Sequence, residues 1–260
     1  MDPATLPLRD HGQLRKRWRY VGLFAEELML CAARAEVGPF RQSFWVLWDR
    51  EQRRQWTHTA LRPGSREVVL DGPRLEIEAA DLRASLRLGE AEPVEVTCPS
   101  GRSWAWTRKR AGLPIEGTVE VPGRRWEVAG RGVDDESAGY HARRTSWHWS
   151  AGVGESVDGR ALAWNLVEGI NDPPSGSERA IWVEGKPTEP PPVRFEGMAA
   201  VALDGGEALH FASESEHAKD DNFLLVRSRY RHGFGAFTGS LGGFELAEGY
   251  GVMEEHEALW

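Results

Sequence analysis

The densest run of chemically reactive side chains extends from Val133 to Trp149 and combines carboxylates, an imidazole, guanidinium groups and indoles. A carboxyl group whose pKa is raised by burial or by a neighbouring negative charge can donate a proton at neutral pH. This run, together with a carboxylate on a following strand, therefore predicts acid–base chemistry. The candidate catalytic residues are Asp134, Asp135, His141 and Glu168.

Aromatic residues in the same neighbourhood could line a pocket for an apolar ligand. If the chain after Tyr140 is an extended strand, alternate side chains from His141 to Trp149 share one face, and Arg143 lies on it. Buried on that face, His141 and Arg143 would need carboxylate partners and could orient a ligand. The predicted ligand-binding residues are Tyr140, His141, Arg143, Trp147, Trp149, Trp164 and Asn165.

The same polar block could instead be a structural network that closes one end of a barrel without binding anything. Asp134 and Asp135 are adjacent on a predicted strand and therefore point to opposite faces, so they cannot form a carboxylate dyad. The pairs Asn171-Asp172 and Glu178-Arg179 are interpreted as residues that fix loop conformations.

Several other classes of function lack their sequence signals. The net charge of -8 argues against a nucleic-acid partner, which requires a basic surface. Histidines are scattered, and the clusters at 210–217 and 254–257 are weak metal candidates, so we expect neither a metal nor a cofactor. The glycine run 233–239 has Thr238 where a dinucleotide fingerprint needs glycine, and we interpret it as a strand bent by glycines. No apolar run approaches the roughly 20 residues of a membrane-spanning helix.

The elements that would hold these side chains are strands, because apolar and polar residues alternate through most of the chain. Residues 26–37 contain helix formers, yet their period-two pattern favours a strand. Counting strands and turns predicts an all-β antiparallel meander, forming two lipocalin-like barrels or one large two-sheet barrel or sandwich with little helix. The Pro-rich stretch 187–192 is expected to be a linker or an edge strand. The expected division is 1–16 as a partly disordered N-terminal segment, 17–132 as the first half and 133–260 as the second, with one continuous domain as the alternative.

The two cysteines, Cys31 and Cys98, lie in separate apolar or alternating segments. This spacing supports neither a disulfide framework nor a zinc knuckle, so we expect two buried free thiols. With no secretory pattern at the N-terminus, a cytoplasmic location is the expectation.

The chain resembles a family of bacterial and some fungal proteins known as domain-of-unknown-function family 2804. The resemblance depends on motifs spread from about residue 17 to the C-terminus. Such proteins are distantly similar to paired lipocalin-like barrels, a group that includes carotenoid hydratases, tocopherol cyclases and lipid-handling stress proteins. The family has no assigned catalytic residues to transfer. The motifs are Arg17-Trp18-Arg19-Tyr20, residues 44–49, 134–149, 163–166, Asn171-Asp172, Glu178-Arg179 and 249–256.

Three functions remain open at this point. The first is binding of a hydrophobic or amphipathic small molecule, such as a lipid or isoprenoid, in a Trp-lined pocket. The second is an acid-catalysed isomerase, hydratase or cyclase acting on an isoprenoid-type substrate. The third is carbohydrate recognition, which stacks sugars on exposed Trp rings. Tryptophans buried around a cavity favour the first two, and a row of exposed tryptophans favours the third. The oligomeric state and the identity of the ligand are left open.

Overall fold

A computed structural model describes residues 5–61, 67–223 and 226–259, and these residues are built almost entirely from antiparallel strands. The described part of the chain contains no α-helix and has a short 3-10 helix at Asp204–Gly206. The all-β prediction is therefore confirmed. The strands of the first half are β1 (Arg9–Asp10), β2 (Gln13–Leu14), β3 (Lys16–Phe24), β4 (Leu28–Val37), β5 (Phe40–Asp49), β6 (Arg54–Ala60), β7 (Val68–Asp71), β8 (Arg74–Glu78), β9 (Arg83–Leu88), β10 (Val94–Ser100), β11 (Ser103–Val121) and β12 (Arg124–Gly139).

The second half begins after a short connection at residues 140–143. Its strands are β13 (Arg144–Ser156), β14 (Ala161–Glu168), β15 (Ala180–Val183), β16 (Lys186–Thr188), β17 (Arg194–Glu196), β18 (Ala200–Ala202), β19 (Ala208–Phe223), β20 (Val226–Leu241) and β21 (Phe244–Leu259).

Strands β3 to β12 form one ten-stranded sheet, and β13 to β21 form a second sheet of nine strands. The order in the first sheet is β6-β5-β4-β3-β12-β11-β9-β8-β7. Strand β10 pairs with residues 103–109 of β11, whereas β9 pairs with residues 115–120 of the same strand. The order in the second is β16-β15-β14-β13-β21-β20-β19-β18-β17. The expected boundary between 132 and 133 falls inside β12, and the chain passes from one sheet to the other between Gly139 and Arg144.

The two sheets share one topology. In each, three successive hairpins run outward from the first long strand, and that first strand pairs with the last strand of the same half, β3 with β12 and β13 with β21. This correspondence makes β3 equivalent to β13, β11 to β20, and β12 to β21. The sequence also contains a weak internal match between Ser103-Trp104-Ala105-Trp106 and Ser146-Trp147-His148-Trp149, but it joins β11 to β13, which are not equivalent strands.

Each sheet curves around its own apolar core, and a third core lies between the two sheets. The first core contains Leu30 of β4 and Ile115 of β11, and the second contains Trp164 of β14 and Phe237 of β20. The third core draws on both halves and includes Met29, Val133, Trp149, Trp182 and Phe234. Both faces of the central strands are therefore buried. One face packs inside the curve of its own sheet, and the other packs against the opposite sheet.

Local sequence signals agree with the strands that formed. Residues 28–37 are a strand, as their period-two pattern predicted, and the glycine run 233–239 lies within β20 at an irregularity in its pairing with β21. Pro187 lies in β16 at the edge of the second sheet, where the lack of an N–H does no harm. The turn between β15 and β16 needs two residues with positive φ, and Glu184 (51°) and Gly185 (75°) supply them.

Both thiols are expected to react with Ellman's reagent only after the protein unfolds. Cys31 and Cys98 are free and buried, and burial raises the pKa of Cys31 to about 12 and that of Cys98 to about 11. A buried thiol with so little thiolate reacts poorly. Titration in denaturant without reductant should find two thiols and titration of the native protein almost none. A denatured count of zero would mean that the cysteines are paired.

Candidate functional site

A cavity of about 140 Å³ lies between the two sheets and is lined by residues from both. Its innermost lining is buried and polar, whereas the residues nearer solvent are half-buried and mostly aromatic. The cavity therefore has a polar floor and an aromatic mouth. The buried polar residues are Tyr20, Lys109, Asp135, Glu178 and Glu254, and the half-buried aromatic residues are Trp18, Phe44, Trp147, Tyr230 and His256.

Equivalent strands of the two halves place the floor residues. In the first sheet, Tyr20 of β3 pairs with Asp135 of β12, which pairs with Lys109 of β11. In the second, Trp149 of β13 pairs with Glu254 of β21, which pairs with His232 of β20. The two rows meet where Tyr20 packs edge-on against Trp149, with ring centroids 5.2 Å apart. The duplicated topology thus brings one carboxyl group from each half to the same cavity.

Lys109 joins two of the carboxyl groups. Its Nζ lies 2.6 Å from Asp135 Oδ2 and 3.4 Å from Glu178 Oε1, and its side chain is 3% exposed. Burial raises the pKa of both Asp135 and Glu178, and the Lys109 ammonium opposes that rise. Asn171 Nδ2 donates to the other Glu178 oxygen at 2.9 Å. Asp135 Oδ1, in contrast, is buried without a hydrogen-bond partner of acceptable geometry, although the nearby Trp18 indole favours its ionised form.

Glu254 differs from the other two carboxyl groups of the floor. Among the described residues, no cation lies within salt-bridge distance of it. Its Oε1 accepts a hydrogen bond from Trp147 Nε1 at 2.9 Å. Burial raises the pKa of Glu254 to about 7, and the negative charge of Asp135 adds to the rise, while Trp147, Tyr230 and Lys109 oppose it. The Tyr230 hydroxyl faces this carboxyl group but is buried without a well-formed hydrogen bond. A carboxyl group with this pKa is half-protonated at neutral pH.

The two histidines of this region are held neutral. Burial lowers the pKa of His232 to about 3 and that of His256 to about 4. His232 Nε2 lies 3.1 Å from the Tyr20 hydroxyl, and so links the two sheets, and His256 Nε2 lies 2.8 Å from Ser228 Oγ. Neither imidazole supplies a positive charge to the cavity at neutral pH.

The structure brings three of the residues predicted from the sequence to the cavity, namely Asp135, Trp147 and Trp149. Asn165 lies behind them, where its Oδ1 accepts a hydrogen bond from Trp149 Nε1 at 2.8 Å and fixes the indole. His141 packs against Trp18, one of the lining residues, with the two rings tilted by 38° and their centroids 4.6 Å apart. Burial lowers the pKa of His141 to about 3, so it is neutral as well.

The other predicted residues lie elsewhere. The strand expected after Tyr140 begins at Arg144, because residues 140–143 form the crossing between the sheets, where Lys16 Nζ donates to the carbonyl oxygens of His141 and Ala142. The Arg143 side chain is consequently exposed rather than buried beside His141. The Tyr140 hydroxyl donates to the Pro7 carbonyl oxygen at 2.8 Å, away from the cavity.

Three further candidates have partners of their own. Asp134 faces the opposite side of β12 from Asp135, as the alternation predicted, and forms salt bridges with Arg19 and Arg110. Glu168 accepts from the backbone N–H of Phe195 at 2.8 Å, and Trp164 belongs to the core of the second half.

Sequence reasoning missed most of the floor. The missed polar residues that lie on strands share one signal, which is a polar or charged side chain on the apolar side of an alternating strand, whereas Glu178 lies in the loop between β14 and β15. Lys109, for example, alternates with the buried Thr107 and Ala111. The pair Glu178-Arg179, predicted to fix a loop conformation, does bond within the loop, because Glu178 accepts from Asn171 Nδ2 and Arg179 donates to the carbonyl oxygens of Asp172 and Pro173. The sequence did not indicate that Glu178 also reaches the cavity. The missed residues are Trp18, Tyr20, Lys109, Glu178, Tyr230, Glu254 and His256.

Tryptophan exposure bears on the choice among functions. Of the tryptophans in the described ranges, none is exposed, and seven are buried, including Trp149 at the cavity. In the same part of the chain, no three His, Cys, Asp or Glu side chains come together as a metal site. Within the described residues, no helix has the length and apolar character of a membrane-spanning segment.

Comparison with solved structures identifies proteins of the same fold. Kievitone hydratase from Nectria haematococca superposes with a TM-score of 0.60 and 10% identity, covering 94% of this chain and 88% of that one. An AttH-like protein from Nitrosomonas europaea superposes with a TM-score of 0.59 and 15% identity, covering 93% of this chain and 92% of that one. CghA with Sch210972 superposes with a TM-score of 0.51 and 9% identity, covering 94% of this chain and 88% of that one. These similarities show a lipocalin-like β fold.

Sequence comparison gives a narrower result. No curated protein matches the chain. The family model for a domain of unknown function, DUF2804, matches residues 62–260, which is most of the chain and includes every floor residue except Tyr20. The chain therefore belongs to the DUF2804 family, in agreement with the resemblance seen in its sequence motifs.

Proposed function

We propose that the cavity between the sheets binds a small, neutral, largely apolar group of an amphipathic molecule and that Glu254 protonates it. The reaction class is acid-catalysed hydration or isomerisation of a carbon–carbon double bond. The observation that carries this proposal is the environment of Glu254, a buried carboxyl group in the cavity floor whose pKa is raised to about 7. A general acid works best when its pKa lies near the operating pH.

The size of the cavity limits the reacting group. A volume of about 140 Å³ is close to that of engineered cavities that bind benzene, so an isoprenyl unit or a single ring would fill it. Drug-sized ligands need larger pockets, of roughly 300 to 1,000 Å³. The remainder of a longer ligand would lie outside the enclosed space, against the half-buried rings of Trp18, Phe44 and Trp147.

The floor contains the groups that a hydration needs. Glu254 would transfer its proton to one alkene carbon, which leaves a positive charge on the other and a carboxylate on the enzyme. A water oxygen would form the new bond to the cationic carbon, and its extra proton would pass to Asp135, whose Oδ1 lacks a partner. Transfer of a proton from Asp135 back to Glu254 through solvent restores both groups. In an isomerisation the base would instead remove a proton from carbon.

The similarity to kievitone hydratase supports this reaction class, because the name describes water addition on the same fold. At 10% identity the similarity carries the fold alone, so the proposal depends on the geometry around Glu254.

Binding without turnover is the second candidate function, and the aromatic mouth favours it. Half-buried Trp18 and Trp147 offer an apolar ligand a large contact area whether or not any bond changes. Carbohydrate recognition is less well supported, since no tryptophan in the described ranges is exposed enough to form a stacking surface.

The proposed activity is testable in labelled water. The protein is incubated with a set of small isoprenyl and vinylarene compounds in H₂¹⁸O, and products are analysed by mass spectrometry. Hydration predicts products heavier than their substrates by one labelled water, and isomerisation in D₂O predicts deuterium on carbon. Saturable binding without either label would support the binding function alone. Neither label nor binding across the set would contradict both functions.

A further inference from the structure

The cavity floor carries more acidic than basic groups. Lys109 is the single cation among the lining residues in the described part of the chain, and it faces Asp135, Glu178 and Glu254. Its ammonium group lies 2.6 Å from one carboxylate and 3.4 Å from a second, so its charge is already compensated before the third is considered. Since His232 and His256 are neutral, the ionisable groups that remain at the floor are three carboxyl groups and one ammonium.

Two buried polar atoms at this floor lack a well-formed hydrogen bond. Asp135 Oδ1 is buried without a well-formed hydrogen bond, in a residue that is 7% exposed. The Tyr230 hydroxyl oxygen is likewise buried without a well-formed hydrogen bond, although it faces Glu254. Buried polar atoms without a well-formed hydrogen bond are rare and costly in folded proteins, and they are typical of groups that meet a ligand or a water molecule.

Aromatic rings enclose the rest of the cavity. Trp18, Tyr20, Trp147, Trp149 and Tyr230 all line it, and they come from both sheets. Electron-rich rings around a floor with more acidic than basic groups stabilise a cation and disfavour an anion, since the ring quadrupoles and any ionised carboxylate act in the same direction. Small alkylammonium groups are recognised in aromatic cages of this type.

We propose that this cavity selects its ligands by positive charge, accepting a small alkylammonium group more tightly than a neutral group of equal shape and rejecting an anion. The inference rests on the proposed function for the location of the site, but it holds whether or not the protein catalyses a reaction. The same preference would favour the proposed reaction, because protonation of an alkene by Glu254 creates a positive charge on the substrate in this cavity.

The preference depends on pH in a defined direction. The titratable and polar groups that face Glu254 are, from the first sheet, Tyr20, Cys31, Lys109 and Asp135 and, from the second, Trp147, Tyr230, His232 and His256. Burial raises the pKa of Tyr20 and Cys31 and lowers that of His232, so these three groups stay neutral. Tyr230 stays neutral because burial raises its pKa well above the usual value, and the low pKa of His256 keeps it neutral too. Glu254 is the group that changes charge near neutrality, so a cation should bind more tightly as the pH rises through about 7.

Three probes of nearly equal size test the proposal. They are choline (cationic), 3,3-dimethylbutan-1-ol (its neutral isostere) and 3,3-dimethylbutanoate (anionic). Titration calorimetry with the full chain at pH 8 should give choline an affinity at least about tenfold higher than that of the alcohol, with no measurable binding of the anion. Equal or tighter binding of the alcohol, or no binding of choline at all, would overturn the proposal.

Choline titrations at pH 6 and pH 8 test whether Glu254 causes the pH dependence of cation binding. The affinity should rise several-fold in the wild type and stay constant in Glu254→Gln. The matched control is Glu255→Gln, because Glu255 pairs with Arg231 and His148 outside the cavity and should leave the rise intact. A rise that persists in Glu254→Gln would contradict this role. These results are independent of the labelled-water experiment, so failure of one proposal is distinguishable from failure of the other.

Discussion

Replacing Lys109 by methionine is expected to lower the free energy of unfolding by about 3 to 5 kcal/mol at pH 7.5. The ammonium group is 3% exposed and lies between Asp135 and Glu178, so its removal leaves two carboxylates buried without a counter-charge. Methionine retains most of the side-chain volume, which separates the lost charge from lost packing. Urea unfolding at two pH values measures the effect.

The loss should be smaller at pH 5 than at pH 7.5. Without the ammonium group, the pKa values of Asp135 and Glu178 rise further, and at the lower pH both carboxyl groups can take up protons. Lys186→Met is the matched control, since Lys186 is exposed on the edge strand β16 and its replacement should change stability by about 0.5 kcal/mol or less. A loss below about 1 kcal/mol for Lys109→Met at pH 7.5 would show that the three charges do not form the compensated cluster described above.

Period-two alternation was sufficient to predict the strands, but it did not predict which strands pair or how the two sheets pack together. The pattern at residues 28–37 outweighed the helix-forming residue types, because both faces of β4 find apolar partners. It also separated Asp134 from Asp135, which the structure places among arginines on one face and at the cavity on the other. Alternation is a local property, and hydrogen bonding along a strand preserves it in the folded chain.

The cavity floor depended on register between strands distant in the sequence. Asp135 and Lys109 are paired across one hairpin, but Glu254 reaches the same cavity because β21 pairs with β13 and the second sheet packs on the first. No local pattern encodes that packing. A duplicated strand order would have predicted it, since equivalent residues then face each other, yet the two halves share too little sequence for the repeat to be recognised.

Arg143 shows the opposite error. It was expected on the cavity side because alternation was continued through residues 140–143, where the chain crosses between sheets and is not a strand. The high density of charged and aromatic residues there reflects the crossing itself, which Lys16 stabilises through two carbonyl oxygens. Composition identified the right region, and backbone geometry decided which side chains reach the cavity.

Replacing Glu254 by glutamine is expected to lower the rate of the protonation step by roughly two to four orders of magnitude, with little change in the binding of a neutral substrate. Glutamine has nearly the same shape and can still accept the hydrogen bond from Trp147 Nε1, but it has no acidic proton. In the wild type, activity should fall as the pH rises above about 7, because the carboxyl group must be protonated to act. The residual activity of the variant should lack this alkaline decline. A full rate in Glu254→Gln would remove Glu254 as the acid.

Stability measurements test the same pKa without any substrate. The pKa of Glu254 is raised from 4.5 to about 7, so the folded protein binds its proton more tightly than the unfolded chain does. The stabilisation from this proton is complete below about pH 4.5 and is lost as the pH rises through about 7. Glutamine does not titrate, so wild type should lose up to about 3 kcal/mol relative to Glu254→Gln between pH 4.5 and pH 8. If the two proteins lose stability in parallel over this range, Glu254 ionises normally and cannot be a proton donor at neutral pH. A divergence that begins near pH 4.5 and levels off near pH 7 would instead assign to this carboxyl group the pKa that acid catalysis requires, before any substrate is known.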